Sequence, residues 1–217
     1  MKEIYLIRHG RQNSGRCNVD VPLSKEGRRQ ADLLGKRLKA EGLDALYSSN
    51  LIRAVETAEI LSGYLHLPVT RIENLKEIDF GEWEGLENDE IRRRFGEFQK
   101  ELSQMNEDLA YPGGECSQDV IDRVWPVLQE ILHTKKANRI GIVTHGGVIR
   151  SLCCYVLGMD VKYRQKIAMD LENTGITCIR YQEENETYFL ERLNDAAHLE
   201  PEPDLMRRAW KESLLSL

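Results

Sequence analysis

Two stretches, YLIRHG at residues 5–10 and GIVTHGG at residues 141–147, place this chain's most reactive side chains in one grammar: an apolar run ending in histidine, then glycine. Each run has the nearly continuous apolar character of a strand covered on both faces. In open α/β sheets, ligands bind outside the carboxyl ends of strands, so His9 and His145 face one site if their strands are neighbours. A histidine at one strand end is ordinarily a satisfied, partly buried residue; the repeated context argues against that for this pair. Glycine after each removes the Cβ that would hold a ligand off the backbone. Arg8 precedes His9, and Arg53 comes early in the helix expected from SSNLIRAVETA. A lone arginine is usually solvated, but two together offer forked N–H donors that match phosphate oxygens.

The elements that must position these groups alternate along the chain. After the first strand, Ser24 is placed to cap a helix with Ala31, Leu34 and Leu38 on one stripe, closed by Gly42. DALYSS reads as a second strand, LIRAVETAEILSGYL as a helix and LPVTRI as a third strand. Residues 74–115, rich in glycine and charge, read as an excursion of short helices over the sheet edge. The run from Asp119 to Leu132 has helical spacing, with Pro126 implying a kink or two pieces. GIVTHGG follows as a buried strand, VIRSLCCYVLG as a helix, and GITCIRY with TYFLERL as a hairpin across QEENE. The alternation predicts an α/β fold with a mostly parallel sheet. No repeat or linker divides the chain, so one domain is expected over residues 1–199. The tail at 200–217 has an amphipathic pattern of Leu205, Ala209 or Trp210, and Ser213 or Leu214, and either docks as a helix or extends.

Composition narrows the function. The 217 residues are 41% hydrophobic and 30% charged, with net charge -6, which fits an ordinary globular protein and argues against nucleic acid as a partner. No apolar segment nears the roughly 20 residues that span a bilayer, and residues 1–10 do not form a signal peptide, so neither a membrane nor export is expected and the cytoplasm is the expected location. Five cysteines without a CxxC pair suggest neither disulfides nor a zinc cluster. His9, His66, His133, His145 and His198 lack HxH or HExxH spacing, so no metal and no cofactor are expected.

LIRHG, DVPLSKEGRRQA, YSSNLIRAVETAEIL, LKEIDFGEWEG, YPGGE, IVTHGGVIR and RLNDAAHL together, in that order, resemble the histidine phosphatase superfamily over residues 4–199. This resemblance implies a three-layer α/β/α sandwich of the phosphoglycerate mutase type, with residues 74–115 as a small cap. It implies His9 as a nucleophile carrying a phosphohistidine, and Arg8, Arg53 and His145 around the phosphoryl oxygens. Glu77 would be the general acid and later the base toward water; like charge on the phosphate favours its protonated form. Backbone N–H groups at Gly146 could complete the cradle. The family often has RHGET, with a phosphate-contacting asparagine further on. Here RHGRQNSG puts Arg11 and Gln12 after the glycine, leaving Asn13 or Asn18 to fill that place.

The substrate class implied is a small phosphorylated metabolite, hydrolysed to alcohol and phosphate. GEWEG, PGGE and NDAAHL look most like the branch containing broad-specificity and α-ribazole phosphatases. A phosphoglycerate mutase shares the first half-reaction, but mutases of the family carry longer enclosing insertions. A non-catalytic phospholigand-binding module would be favoured by loss of His9 or Glu77, and both are present.

Overall fold

Strand β1 (Lys2–Arg8) sends Ile4 and Leu6 into one apolar layer, and Tyr5 and Ile7 into another. All four are buried, each contributing on the order of 1.5–3 kcal/mol, so β1 can lie only inside a sheet covered on both faces. The protein is described by a computed structural model covering residues 1–134 and 137–207. Its other strands are β2 (Ala45–Ser48), β3 (Val69–Arg71), β4 (Arg139–Thr144), β5 (Ile176–Gln182) and β6 (Thr187–Asp195), and its helices are α1 (Lys25–Leu38), α2 (Ile52–Leu65), α3 (Asn88–Gln104), α4 (Ser117–Thr134) and α5 (Gly146–Val156).

The six strands lie in the order β3-β2-β4-β1-β5-β6. β3, β2, β4 and β1 pair in parallel, and β5 runs antiparallel to β1 and forms the expected hairpin with β6. On one face, Leu34 and Leu38 of α1 and Ala54, Ala58 and Leu61 of α2 pack on Tyr5 and Ile7. On the other, Val120, Val124 and Leu128 of α4 and Val148 and Leu152 of α5 pack on Ile4, Leu6, Ile140 and Ile142. The result is a three-layer α/β/α sandwich around a mostly parallel sheet. Ser24 caps α1 as its sequence suggests, its hydroxyl accepting the Gly27 N–H at 3.1 Å. No helix among the described residues is long and apolar enough to cross a membrane.

Of the two readings of Pro126, a kink or two pieces, the second does not hold: α4 runs as one helix from Ser117 to Thr134 with Pro126 inside it. A mid-helix proline costs about 3 kcal/mol, and the buried stripe of Val120, Val124, Leu128 and Leu132 offsets it. The excursion is built of short helical pieces. Besides two single turns, Glu73–Leu75 and Gly81–Trp83, it holds the 17-residue α3, which is interrupted at Phe95 (φ -127°, ψ 23°). Its Trp83, Ile91 and Tyr111 join the apolar layer of α4 and α5.

The start of the expected tail is docked on α1. Leu205 is buried with Leu199, the Gln30 side-chain amide donates to its carbonyl at 2.7 Å, and Arg29 pairs with Glu202. The positions Ala209, Trp210, Ser213 and Leu214 lie outside the described residues.

Candidate active site

The register of β1 on β4 sets Arg8 level with Thr144, and the His9 N–H donates to the Thr144 carbonyl at 3.0 Å. The next residue of each strand end is therefore a histidine facing its counterpart, and the rings of His9 and His145 lie 5.0 Å apart, tilted by 54°. Gly10 permits the chain to turn away directly after His9: a Cβ there would stand 2.6 Å from the Gly27 carbonyl oxygen at the start of α1.

His9 is 5% exposed. Its Nδ1 lies 2.7 Å from the Gly10 carbonyl oxygen, which can only accept, so that nitrogen carries the proton and Nε2 keeps its lone pair. Arg53 Nε–H points at that lone pair from 3.2 Å. Burial first, then the charges of Arg53 and Arg8, hold the His9 pKa well below the ordinary histidine value. A neutral imidazole with a committed tautomer is the form able to attack phosphorus.

His145 is fully buried and its pKa is depressed by the same causes, with burial largest and Arg53 next. Its Nε2 lies 2.8 Å from Ser49 Oγ, which also accepts the Leu51 N–H. Among the described residues Nε2 is the acceptor within reach of the Ser49 hydroxyl hydrogen, so the hydroxyl donates to it and the imidazole proton is assigned to Nδ1. That nitrogen has no partner. Arg8 Nε is likewise buried without a partner, while Arg8 Nη1 donates to the Leu171 carbonyl. Burial and the neighbouring Arg207 lower the Arg8 pKa to about 9, which leaves it cationic at neutral pH. Two unsatisfied donors beside a neutral imidazole form a cradle for an oxyanion.

Arg53, 1% exposed, is held by Asn18, whose Oδ1 accepts from Nη2 at 2.6 Å, and by the Val19 carbonyl at 3.1 Å. Asn18 adopts a left-handed φ of 45°, which asparagine tolerates, and its Nδ2 donates to Glu84 at 2.6 Å. Of the two asparagines considered, Asn18 is the one at the cluster. Asn13 is exposed, its backbone N–H bonds the Pro22 carbonyl, and it lines neither cleft described below. Arg11 also lines neither cleft; its backbone is tied to α1 through Gln30 and Ser24.

Glu77 arrives from the excursion. Its Oε1 accepts the N–H of Gly147 and that of Ile78, each at 2.9 Å. A Cβ at Gly146 would lie 3.6 Å from Arg8 Nε and 4.0 Å from Glu77 Oε2, so Arg8 and Glu77 flank the start of α5. Arg123 holds the loop in place by donating to the carbonyls of Asn74, Lys76 and Glu77 and to both oxygens of Glu115. Thus Glu115 of the YPGGE motif braces the Glu77 loop through Arg123.

A cavity of about 380 Å³ opens on Arg8, Glu77, Gly146 and Gly147, and is walled further by Tyr111, Arg150, Arg164 and Arg207. A second cleft of about 360 Å³ meets it at Glu77 and is lined by Asn18, Asp20, Asp79 and Glu84. Sequence reasoning missed Arg123, Arg150, Arg164 and Arg207. Arg150 had a signal, since it lies one helical turn beyond Gly146; Arg164, in the short 3₁₀ segment Val161–Lys166, had none. Among the described residues, no group of three or more His, Cys, Asp or Glu is placed to hold a metal ion.

A doubly covered sheet with Arg8 and two histidines at the ends of adjacent parallel strands, and Arg53 reaching them from the first turn of α2, defines a phosphoryl-binding α/β protein. The sequence agrees: residues 4–196 match the model of the histidine phosphatase superfamily, branch 1, and the chain belongs to that family of enzymes acting on phosphate esters. A Salmonella paratyphi B protein named "Probable phosphoglycerate mutase GpmB" is 30% identical, over 96% of this chain and all of the relative. The structure of YhfR from Bacillus stearothermophilus superposes with a TM-score of 0.84 at 32% identity, covering 92% of this chain and 100% of the other. Mycobacterial glucosyl-3-phosphoglycerate phosphatase with VO3 gives 0.82 at 24% identity, covering 90% and 100%, a likeness of fold.

Proposed function

We propose that this protein is a phosphomonoesterase for small phosphorylated metabolites, working through a phosphohistidine on His9 with Glu77 as general acid and then base. The observation that carries this reading is His9 itself: a buried imidazole kept neutral, its proton committed to the Gly10 carbonyl, between the guanidiniums of Arg8 and Arg53.

In the first step His9 Nε2 forms a bond to phosphorus as the ester P–O bond breaks, and the Glu77 carboxyl delivers its proton to the leaving oxygen, releasing an alcohol. Arg8, Arg53 and the His145 Nδ1–H stabilise the three non-bridging oxygens, with the Gly146 N–H as a further donor. Charge spreads onto those oxygens in the transition state, so fixed donors there lower the barrier. In the second step the Glu77 carboxylate takes a proton from water. The oxygen bonds phosphorus, the N–P bond breaks and phosphate leaves with His9 neutral again.

A returning hydroxyl in place of water would make the enzyme a mutase, the reading favoured by the Salmonella relative's name. Hydrolysis accounts better for a cap built on one kinked helix. The likeness of GEWEG, PGGE and NDAAHL to the α-ribazole branch puts α-ribazole phosphate among the substrates to try, beside 3-phosphoglycerate.

Phosphate release from a panel of small esters, with EDTA present, tests the reading against His9→Ala. The variant is expected to lose at least about 10³-fold. Equal release by both proteins refutes the phosphohistidine, and release by neither, with activity in a mutase assay, decides for transfer.

A further inference from the structure

Many arginines elsewhere on the described surface hold carboxylates, among them Arg29, Arg37, Arg71, Arg123 and Arg192. Arg8, Arg53, Arg150 and Arg164 have no carboxylate within ion-pair distance among the described residues. All four belong to the site, and the phosphoryl group needs only the first two.

Arg164 is the most telling. It is 5% exposed, yet its hydrogen bond goes to the neutral hydroxyl of Tyr111 at 3.0 Å, with its guanidinium 5.5 Å from that ring's centre. A buried cation without a counter-charge is costly. Arg150 is half-buried and is spent on carbonyls alone, those of Ile167, Ala168 and Met169. Carbonyls orient a guanidinium without neutralising it. Arg207, by contrast, stands 3.8 Å from Asp170. The wall that Arg150 and Arg164 share with Arg8 and Glu77 is therefore electropositive in a chain of net charge -6, a local reversal of sign that concentrates anions.

We propose that this wall is a second anion site, with Arg164 as its main donor and Arg150 beside it, so that the substrate is a phosphomonoester bearing a second acidic group, a carboxylate or another phosphate. The proposal rests on the cavity being the substrate chamber of the phosphatase described above. A guanidinium fork binds either anion in two parallel hydrogen bonds. With the phosphoryl at His9 and the second acid at Arg164, the substrate is held at both ends and the leaving oxygen is presented to Glu77. Esters with an uncharged tail leave Arg164 buried and unpaired, and are discriminated against for that reason.

Binding reads this separately from turnover. The His9→Ala protein is titrated calorimetrically with 3-phosphoglycerate, with glycerol 1,3-bisphosphate and with glycerol 3-phosphate. At least one of the first two is expected to bind about 30-fold more tightly than the third, the scale of one charge-assisted contact, and the tighter one names the acid. Adding Arg164→Gln is expected to cut that gap to about 3-fold or less. Adding Arg164→Lys instead, which keeps the charge without the fork, is expected to leave an intermediate gap, which a general loss of structure would not do. Equal affinity for all three ligands, or a gap untouched by Arg164→Gln, overturns the second site. Failure of phosphate release by the native enzyme overturns hydrolysis, and leaves the binding result to be read on its own.

Discussion

Replacing Gly147 by alanine isolates the contact that sets the acid. An ideal Cβ at this position stands 2.5 Å from Glu77 Oε1 and 2.8 Å from Ile78 Cγ2, where ordinary contact begins near 3.4 Å. The carboxylate must therefore retreat by about 1 Å, and a displacement of that size at a reacting group can cost about 10²-fold in rate. The same retreat stretches the 2.9 Å bond from the Gly147 N–H, a contact to a charged group and so of about 1.5–3 kcal/mol. The fold should survive. Gly147 is not among the residues of positive φ, and alanine restricts the unfolded chain by about 0.4–1 kcal/mol in favour of folding. The assay is kcat/KM for phosphate release, which reports the phosphorylation step, with an alkyl ester and with p-nitrophenyl phosphate. The alkyl ester needs a proton delivered to its leaving oxygen and should fall about 10²-fold; the nitrophenyl ester does not and should fall less than about 5-fold. Glu77→Gln should show the same asymmetry. Equal falls for the two esters, or none, would refute the claim that α5 positions a general acid.

Asn18→Ala removes the acceptor for Arg53 Nη2 and should lower kcat/KM about 10-fold, whereas Glu84→Gln, which can still accept from Asn18, should stay within about 3-fold; steady-state kinetics on both variants checks the order. His198 is buried against Thr174 at 2.9 Å, and burial lowers its pKa to about 4. Its folded pKa lies below the unfolded value near 6.5, so folding loses stability as pH falls from about 6.5 toward 4. Urea denaturation at pH 7 and pH 5 should show His198→Gln losing about 2 kcal/mol less than the native protein over that interval, and identical losses would count against the linkage. Because His9 is held neutral well below its ordinary range, kcat/KM should show no inflection near pH 6.5 from the nucleophile, which a pH–rate profile with a substrate of constant ionisation reveals.

Much of the site was legible because it sits where local rules are strong. His9 and His145 end strands whose apolar runs are unmistakable, and Ser24 is a plain helix cap. What could not be read was partnership across distance. Asn18 reaches Arg53 only because the loop after Gly10 doubles back, with Gln12 bridging Leu23, and because Asn18 itself takes a left-handed turn. Residue spacing encodes neither. Arg164 sits in a 3₁₀ segment of six residues, too short for an apolar period to reveal which way it points. The excursion was legible in part: Ile91, Phe95, Phe98 and Leu102 recur at helical spacing, but the run of Arg92, Arg93 and Arg94 and the glycine at 96 obscured a helix that continues past its interruption at Phe95.

In the proposed mechanism, the bond between Glu77 and the first turn of α5 separates what supplies the acid from what aims it. The excursion delivers the carboxylate, but the sheet, through β4 and the helix that follows His145, decides where it rests. The rest of the excursion, α3 and the loop after it, is thereby released from the geometry of bond breaking, provided the brace of Arg123 and Glu115 is kept. Such a division lets one reaction be offered to many substrates: the roof can be rebuilt, lengthened or exchanged while the hearth beneath keeps its shape.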